Sequence, residues 1–135
     1  MSDLLLDTDA VSILFKPGHS LYGRCFSLTS GRHLLISCMT QAELMLWPRH
    51  NQWGAARTEL LTNHIRLFTT LYPDEDVCEH WADIVSESNA AGRPISTADA
   101  WIAACARQWH LPPVTANFRD FERLRGITLA PPGPE

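Results

Sequence analysis

The chain has 135 residues, of which 45% are apolar and 19% charged, a composition typical of a single globular domain and not of a disordered chain. Its formal net charge of −4 excludes a broad positive field for non-specific binding of nucleic acid. No apolar run reaches the roughly 20 residues of a membrane-spanning helix, and Asp3 stands where a signal peptide needs positive charge, so a cytoplasmic protein is expected.

The predicted elements alternate between short apolar runs and helical patterns. In chain order, we predict a strand at 4–6, helices at 10–15 and 21–30, a strand at 34–37, helices at 40–47 and 52–63, an extended segment at 65–69, helices at 75–91 and 97–109, a strand at 113–115, a helical turn at 117–124 and a strand at 127–129. Asp74 and Ser96 are predicted N-caps. This alternation predicts an α/β fold with a parallel sheet and helices on both sides.

The domain organisation predicted from this pattern is simple. Residues 1–129 form one unit, and residues 130–135 form a Pro-rich tail that cannot continue a helix or a central strand. The four cysteines lack the spacing of a zinc or redox motif and are expected to be small buried apolar side chains, namely Cys25, Cys38, Cys78 and Cys105.

Four acidic residues stand at the ends of predicted elements, and each has a structural explanation as a helix cap. Asp7 follows the first strand and can cap the next helix, and Asp120 can cap the turn that begins at 117. The pairs Thr40/Glu43 and Ser96/Asp99 both have the spacing of a capping box. Asp99 is the only polar residue between 98 and 106. A helix that is otherwise apolar is typically buried, so Asp99 is expected to be buried.

The joint placement of these acids favours a functional site. In a parallel sheet the strand carboxyl ends and the helix N-termini meet at one edge, so Asp7, Glu43, Asp99 and Asp120 can converge on one pocket. Carboxylates a few ångströms apart repel by about 1 to 4 kcal/mol per pair, and a cation relieves that repulsion. Oxygen ligands without Cys or His favour Mg²⁺ or Mn²⁺ over zinc. Such a site suits phosphoryl chemistry by metal-activated water.

Four segments resemble, in order, the motifs of the PIN domain family. They are Leu4-Leu5-Leu6-Asp7-Thr8-Asp9-Ala10-Val11-Ser12, Thr40-Gln41-Ala42-Glu43-Leu44, Asp99-Ala100-Trp101-Ile102-Ala103-Ala104 and Thr115-Ala116-Asn117-Phe118-Arg119-Asp120-Phe121. In length the chain is similar to the VapC-type toxins of type II toxin–antitoxin modules. The resemblance implies a three-layer α/β/α sandwich, a Mg²⁺- or Mn²⁺-dependent endoribonuclease, a homodimer, and inhibition by a cognate antitoxin that docks over or into the active site.

The resemblance also implies roles for individual residues. Asp7, Glu43 and Asp99 match the metal-binding acids of the family, and the fourth position falls on either Asp120 or Asn117. Asp9 stands where the family often has Asn and adds charge near the metal. Thr8 and Thr115 are expected to supply hydroxyls that support the acids.

The segment from Trp47 to Trp53 departs from the small residues that often follow the glutamate of this family, which leaves the contacts to RNA open. Arg49, Arg57 and Arg119 are candidates for phosphate contacts or for a solvated surface. Trp47 and Trp53 are candidates for base stacking or for packing in a core or an interface.

Two other functions compete with a ribonuclease. The sequence Asp7-Thr8-Asp9-Ala10-Val11 fits the start of a haloacid-dehalogenase-like phosphatase, although Lys16, the only lysine, lies too near that motif. A non-catalytic interaction module is the second alternative, and in it the acids only cap helices. Under the ribonuclease hypothesis, hydrolysis of an RNA phosphodiester leaves a 5′-phosphate and a 3′-hydroxyl.

Overall fold

The computed structural model describes residues 3–130, so all of the proposed tail at 130–135 except Ala130 lies outside the described residues. Four short strands form one sheet in the order β3-β2-β1-β4, and every neighbouring pair is parallel. The strands are β1 (Leu4–Leu6), β2 (Leu34–Ser37), β3 (Thr69–Leu71) and β4 (Pro113–Val114). β1 lies between β2 and β4. The chain therefore adds β2 and β3 on one side of β1 and, after β3, crosses back to add β4 on the other side of β1.

Seven helices occur within residues 3–130. They are α1 (Thr8–Phe15), α2 (Tyr22–Thr29), α3 (Cys38–His50), α4 (Ala55–Ile65), α5 (Glu75–Ala90), α6 (Thr97–Trp109) and α7 (Phe118–Phe121). The predicted N-caps Asp74 and Ser96 are confirmed, since their side chains accept hydrogen bonds from the Val77 and Asp99 N–H groups. None of these helices has the length and the apolar character that crossing a bilayer requires.

The layers follow from the alternation of side chains along β1. Leu4 and Leu6 lie in one apolar core together with residues of α1, α3 and α4, whereas Leu5 lies in a second core with residues of α5 and α6. Successive residues of a strand face opposite sides of the sheet, so a wholly apolar strand indicates a sheet that is covered on both faces. The expected three-layer α/β/α sandwich with a parallel sheet is therefore confirmed.

Several helix boundaries differ from the predicted ones. α3 begins at Cys38 because Ser37 is its N-cap, and it continues through Pro48 to His50 instead of ending at Trp47. α4 begins at Ala55 instead of residue 52 and extends to Ile65, so the extended segment predicted at 65–69 is wrong, and β3 begins at Thr69.

The predicted strand at 127–129 is also wrong. The segment runs beside β4 but makes a single backbone hydrogen bond to it, from the Ala130 N–H to the Pro113 carbonyl at 3.0 Å. In a parallel pair the N–H and the carbonyl of one residue face the same neighbour, and Pro113 has no N–H to donate. The second bond that a ladder needs at this position is therefore missing.

The cysteines only partly follow the prediction. Cys25 and Cys105 are buried, Cys38 is half-buried, and Cys78 is exposed on α5, so the expectation of a buried side chain is wrong for Cys78. All four are free thiols.

Candidate active site

The candidate site lies at the carboxyl edge of three neighbouring strands. Asp7 directly follows β1, Ser37 is the last residue of β2 and starts α3, and Thr115 directly follows β4. Because β1 pairs with both β2 and β4, these three chain segments leave the sheet side by side. This is the edge at which open α/β sheets bind ligands.

Asp7 is buried at this edge, with only 4% of the residue exposed. Its Oδ1 accepts a hydrogen bond from the Ala10 N–H at 2.8 Å, so Asp7 is the N-cap of α1. Burial raises the pKa of Asp7 to about 6, hydrogen bonds from Thr115 and Ala10 oppose the rise, and the charges of Asp9 and Asp99 add to it. Asp7 therefore caps a helix and at the same time lies within reach of two other carboxylates.

Glu43 does not belong to a capping box. The N-cap of α3 is Ser37, whose Oγ accepts from the Thr40 N–H at 3.1 Å, so the predicted Thr40/Glu43 box is wrong. The Glu43 Oε1 instead accepts a hydrogen bond of 2.6 Å from the Thr8 hydroxyl, which belongs to α1. The half-buried Glu43 is thus fixed against the segment that carries Asp7.

Asp99 lies in the first turn of α6 and is half-buried, not fully interior. Ser96 caps the helix through the Asp99 N–H at 3.1 Å. Within residues 3–130 the Asp99 carboxylate accepts no hydrogen bond from the Ser96 backbone N–H, so only half of the predicted box forms. Burial raises the pKa of Asp99, a hydrogen bond with the Ser96 side chain lowers it, and the charges of Asp120, Glu43 and Asp9 raise it.

Asp120 and Asn117, the two candidates for the fourth position, are in direct contact. The Asn117 Nδ2 donates to the Asp120 Oδ2 at 2.6 Å, and the Asn117 N–H donates to the Thr115 hydroxyl at 2.9 Å. Asn117 is the N-cap residue of α7, and no side chain caps that helix, so the predicted capping role of Asp120 is wrong. Thr115 also lies beside Asp7, and its hydroxyl lowers the pKa of that carboxyl.

Five carboxylates therefore share one electrostatic environment at the sheet edge: Asp7, Asp9, Glu43, Asp99 and Asp120. Among the described residues, no three His, Cys, Asp or Glu side chains are placed to hold a metal ion directly. Mg²⁺ retains several of its waters and binds through only one or two carboxylates, so an oxygen-rich acidic cluster fits a hydrated Mg²⁺ or Mn²⁺ ion by its chemistry. The helix-cap-only alternative explains Asp7 but not the carboxylates of Glu43, Asp99 and Asp120.

The other residues singled out in the sequence lie in different surroundings. The Arg49 guanidinium donates to the Met45 carbonyl at 2.6 Å, and Arg57 stacks on Trp53 at 3.9 Å from the ring centroid. Trp47 and Trp53 pack against the core that contains Leu4 and Leu6, so packing accounts for both.

Arg119 lines a polar cavity beside Asp120, together with Arg93 and Arg123. The sequence reasoning did not single out Arg93 and Arg123. The spacing of four between Arg119 and Arg123 was the signal available, since it places two side chains on one side of a helical turn. Nothing local to the sequence indicated that Arg93 would join them.

The fold is a parallel α/β/α sandwich, and its acids gather at the carboxyl edge of the strands. These features are typical of a small α/β protein that has its functional site at this edge. The family model for the PIN domain matches residues 4–127. The chain belongs to the PIN domain family, which confirms the resemblance and does not favour a haloacid-dehalogenase-like phosphatase.

Three relatives illustrate the similarity. Ribonuclease VapC1 of Haemophilus influenzae (strain R2866) is 29% identical over 127 residues, which cover 91% of this chain and 92% of that protein. The tRNA(fMet)-specific endonuclease VapC of Shigella flexneri is 28% identical and covers 94% of this chain and 96% of its own. The crystal structure of DNA-bound VapBC from Salmonella typhimurium contains a chain with a TM-score of 0.82 and 27% identity, with coverage of 96% and 97%.

Proposed function

We propose that this PIN-domain protein is a Mg²⁺- or Mn²⁺-dependent endoribonuclease and the toxin of a toxin–antitoxin module. The observation that carries the proposal is the convergence of Asp7, Glu43, Asp99 and Asp120 on the carboxyl edge of the sheet, where burial and mutual repulsion raise the pKa of Asp7 and of Asp99. The relatives named ribonuclease and endonuclease, which align over nearly the whole chain, support the same activity.

The acidic residues would hold the cation, with Asp7, Glu43 and Asp99 as its principal ligands, direct or through water, and Asp120 as the fourth. When bound, a divalent cation supplies Lewis acidity to a phosphate oxygen and lowers the pKa of a water molecule. The Thr8 hydroxyl fixes the orientation of Glu43, and Asn117 fixes that of Asp120.

The reaction we propose is hydrolysis of an RNA phosphodiester without a covalent enzyme intermediate. Water adds to phosphorus and loses a proton, the bond to the 3′-oxygen breaks, and that oxygen takes up a proton, so the products carry a 5′-phosphate and a 3′-hydroxyl. The ionised carboxylates at this edge repel the RNA backbone, so binding of the substrate and of the cation are expected to depend on each other.

The chain is proposed to have two protein partners. An antitoxin that covers the site would present a basic side chain to the acidic cluster, and the VapBC structure from Salmonella typhimurium supports such a partner. A second copy of the chain is the other proposed partner. Its support is a set of large apolar side chains that are exposed on α3 and α4, namely Met45, Leu46 and Leu60.

The test of the function is cleavage of labelled total RNA by the purified protein in Mg²⁺ and in EDTA. We expect cleavage in Mg²⁺, none in EDTA, and at least a 100-fold loss for Asp99→Asn, because a mutation that removes a group of the catalytic centre costs several kcal/mol of transition-state stabilisation. Asp83→Asn is the matched control, since Asp83 is exposed on α5 and lies outside the acidic cluster.

Equal cleavage in every lane would contradict the metal mechanism. If Asp99→Asn cleaved RNA at the same rate as Asp83→Asn, Asp99 would not be part of the active site. Sequencing of the product ends tests the chemistry separately, because fragments with a 2′,3′-cyclic phosphate would require attack by the ribose hydroxyl instead of water.

A further inference from the structure

A polar cavity of about 160 Å³ lies next to the acidic cluster, and Asp120 lines it. Its walls come from the end of α5, the segment that follows α5, and the residues in and after α7. Three arginines contribute to these walls: Arg93, Arg119 and Arg123. The cavity therefore places a concentration of positive charge directly beside the negative charge of the candidate active site.

The three guanidinium groups have no hydrogen-bond or ion-pair partner among residues 3–130. The two acids that line the cavity are engaged elsewhere, because Glu87 forms an ion pair of 3.3 Å with Arg107 and Asp120 accepts from Asn117. Arg93, Arg119 and Arg123 thus keep their donor groups available for a ligand from outside the described chain. Guanidinium groups bind anions that have several acceptor oxygens, such as phosphate or carboxylate.

The backbone around this cavity is fixed by specific local structure. Gly92, with φ +70°, ends α5 in a Schellman motif, in which the Arg93 N–H donates to the Ser88 carbonyl at 2.9 Å and the Gly92 N–H donates to the Asn89 carbonyl at 3.0 Å. On the opposite wall, Phe121 is completely buried and anchors α7 between Arg119 and Arg123. Both sides of the cavity are therefore held in place before a ligand binds.

We propose that this cavity binds a backbone phosphate of the RNA next to the scissile one, an inference that rests on the ribonuclease function proposed above. An RNA chain whose scissile phosphate lies at the acids can place a neighbouring phosphate in the cavity, because Asp120 borders both places. RNA carries a phosphate at every nucleotide, so a neighbouring phosphate is present whatever the base sequence. Arg93 and Arg123 would then position the substrate, and they would offset the repulsion between its backbone and the acidic cluster.

The test measures binding of a short single-stranded RNA by fluorescence anisotropy at several salt concentrations. Arg93→Ala and Arg123→Ala are each made in the Asp99→Asn background, which prevents cleavage and removes one of the carboxylates that repel the RNA backbone when no cation is bound. Each phosphate contact with single-stranded nucleic acid contributes about −0.7 to the slope of log K against log salt. We expect either variant to bind about 3- to 10-fold more weakly and to have a slope shallower by up to about 0.7.

Arg66→Ala is the matched control, because Arg66 is exposed and does not line the cavity. It removes the same charge, and its effect is expected to stay below about 2-fold. A series of RNAs with one neutral methylphosphonate each locates the contact. At one position the methylphosphonate should weaken RNA binding by the Asp99→Asn parent. At that same position it should have no further effect in the variant that lacks Arg93 or Arg123.

The outcomes separate this inference from the function on which it rests. If the Asp99→Asn parent does not bind RNA and the wild-type protein cleaves none, the ribonuclease function fails and the phosphate site fails with it. If the parent binds RNA and both arginine variants match Arg66→Ala in affinity and slope, only the phosphate site is refuted. If the same arginine substitutions in the wild-type background leave RNA cleavage unchanged but abolish its inhibition by the antitoxin, the phosphate site is refuted and the cavity binds an acidic segment of that protein.

Discussion

Asp7 combines two roles that the sequence presented as alternatives. Its Oδ1 caps α1 through the Ala10 N–H, and the same carboxylate lies near the charges of Asp9 and Asp99. A cap stabilises a helix by about 1 kcal/mol, whereas burial among like charges raises the pKa of the group to about 6. In the absence of a cation, ionised Asp7 therefore destabilises the fold that its hydrogen bond helps to start.

This conflict predicts how stability depends on pH. The pKa of Asp7 is about 6 in the folded protein against 3.8 for the ordinary group, so the folded state binds the proton more tightly. The stability due to protonated Asp7 is complete below about pH 4 and is lost as pH rises through about 6. Asp7→Asn keeps an oxygen for the Ala10 N–H and removes the charge. In EDTA it should exceed the wild type by about 3 kcal/mol at most at pH 7.5, and by almost nothing at pH 4.

Urea denaturation of both proteins at the two pH values measures this difference. Asp83→Asn is the control, because an exposed substitution outside the cluster should stay within about 0.5 kcal/mol at either pH. A wild type that is as stable as Asp7→Asn at pH 7.5 without metal would mean that Asp7 is not strained by burial and repulsion.

The helices show how far local sequence signals reach. Ser96 and Asp74 were predicted as caps because a hydrogen bond three residues along the chain needs no information from the rest of the fold. Thr40 has an equally good local pattern, yet Ser37 takes the cap because β2 ends there and turns directly into α3. Because Glu43 does not cap a helix, its carboxylate accepts a hydrogen bond from Thr8, which lies 35 residues earlier in the chain. No local pattern could indicate that contact.

The C-terminal end of α5 supplies a prediction at the scale of an element. Gly92 has φ +70°, a left-handed conformation that costs a residue with a Cβ about 1 kcal/mol. No heavy atom lies within 4 Å of the position that a Cβ would take, so the backbone alone decides the effect. Gly92→Ala should lower the free energy of unfolding by about 1 kcal/mol, measured by urea denaturation. It should also weaken RNA binding, because it loosens Arg93.

Gly18→Ala is the control for this change, since Gly18 also has open space around its Cβ position but lacks a positive φ. We expect it to be neutral or slightly stabilising, because Ala restricts the unfolded chain. If Gly92→Ala and Gly18→Ala had equal stability, the Schellman motif would not be what fixes Arg93.

At the scale of the whole molecule, the topology assembles a site from residues that are far apart in the chain. β1 and its acid could be predicted because Leu4-Leu5-Leu6 reads as a strand buried on both faces and Asp7 ends it. The parallel alternation then placed Glu43, Asp99 and Asp120 at the same edge. The arginine cavity could not be predicted in this way, because Arg93 meets Arg119 and Arg123 only through the packing of separate elements.

The same topology predicts that a divalent cation stabilises the folded chain. Five of the fifteen acidic residues share one edge of the sheet, so a cation that neutralises that edge only in the folded state must stabilise the folded state. At a Mn²⁺ concentration ten times its dissociation constant, the gain is about 1.4 kcal/mol, which corresponds to a rise in Tm of about 5 °C for a domain of this size. The rise should be smaller at pH 5.5 than at pH 8, because protons compete for Asp7, whose pKa is about 6.

Differential scanning calorimetry should show the shift in the wild type and in Asp83→Asn and its loss in Asp99→Asn. An equal shift in all three proteins would place the cation away from the acidic edge, and no shift in any of them would show that these carboxylates do not bind one.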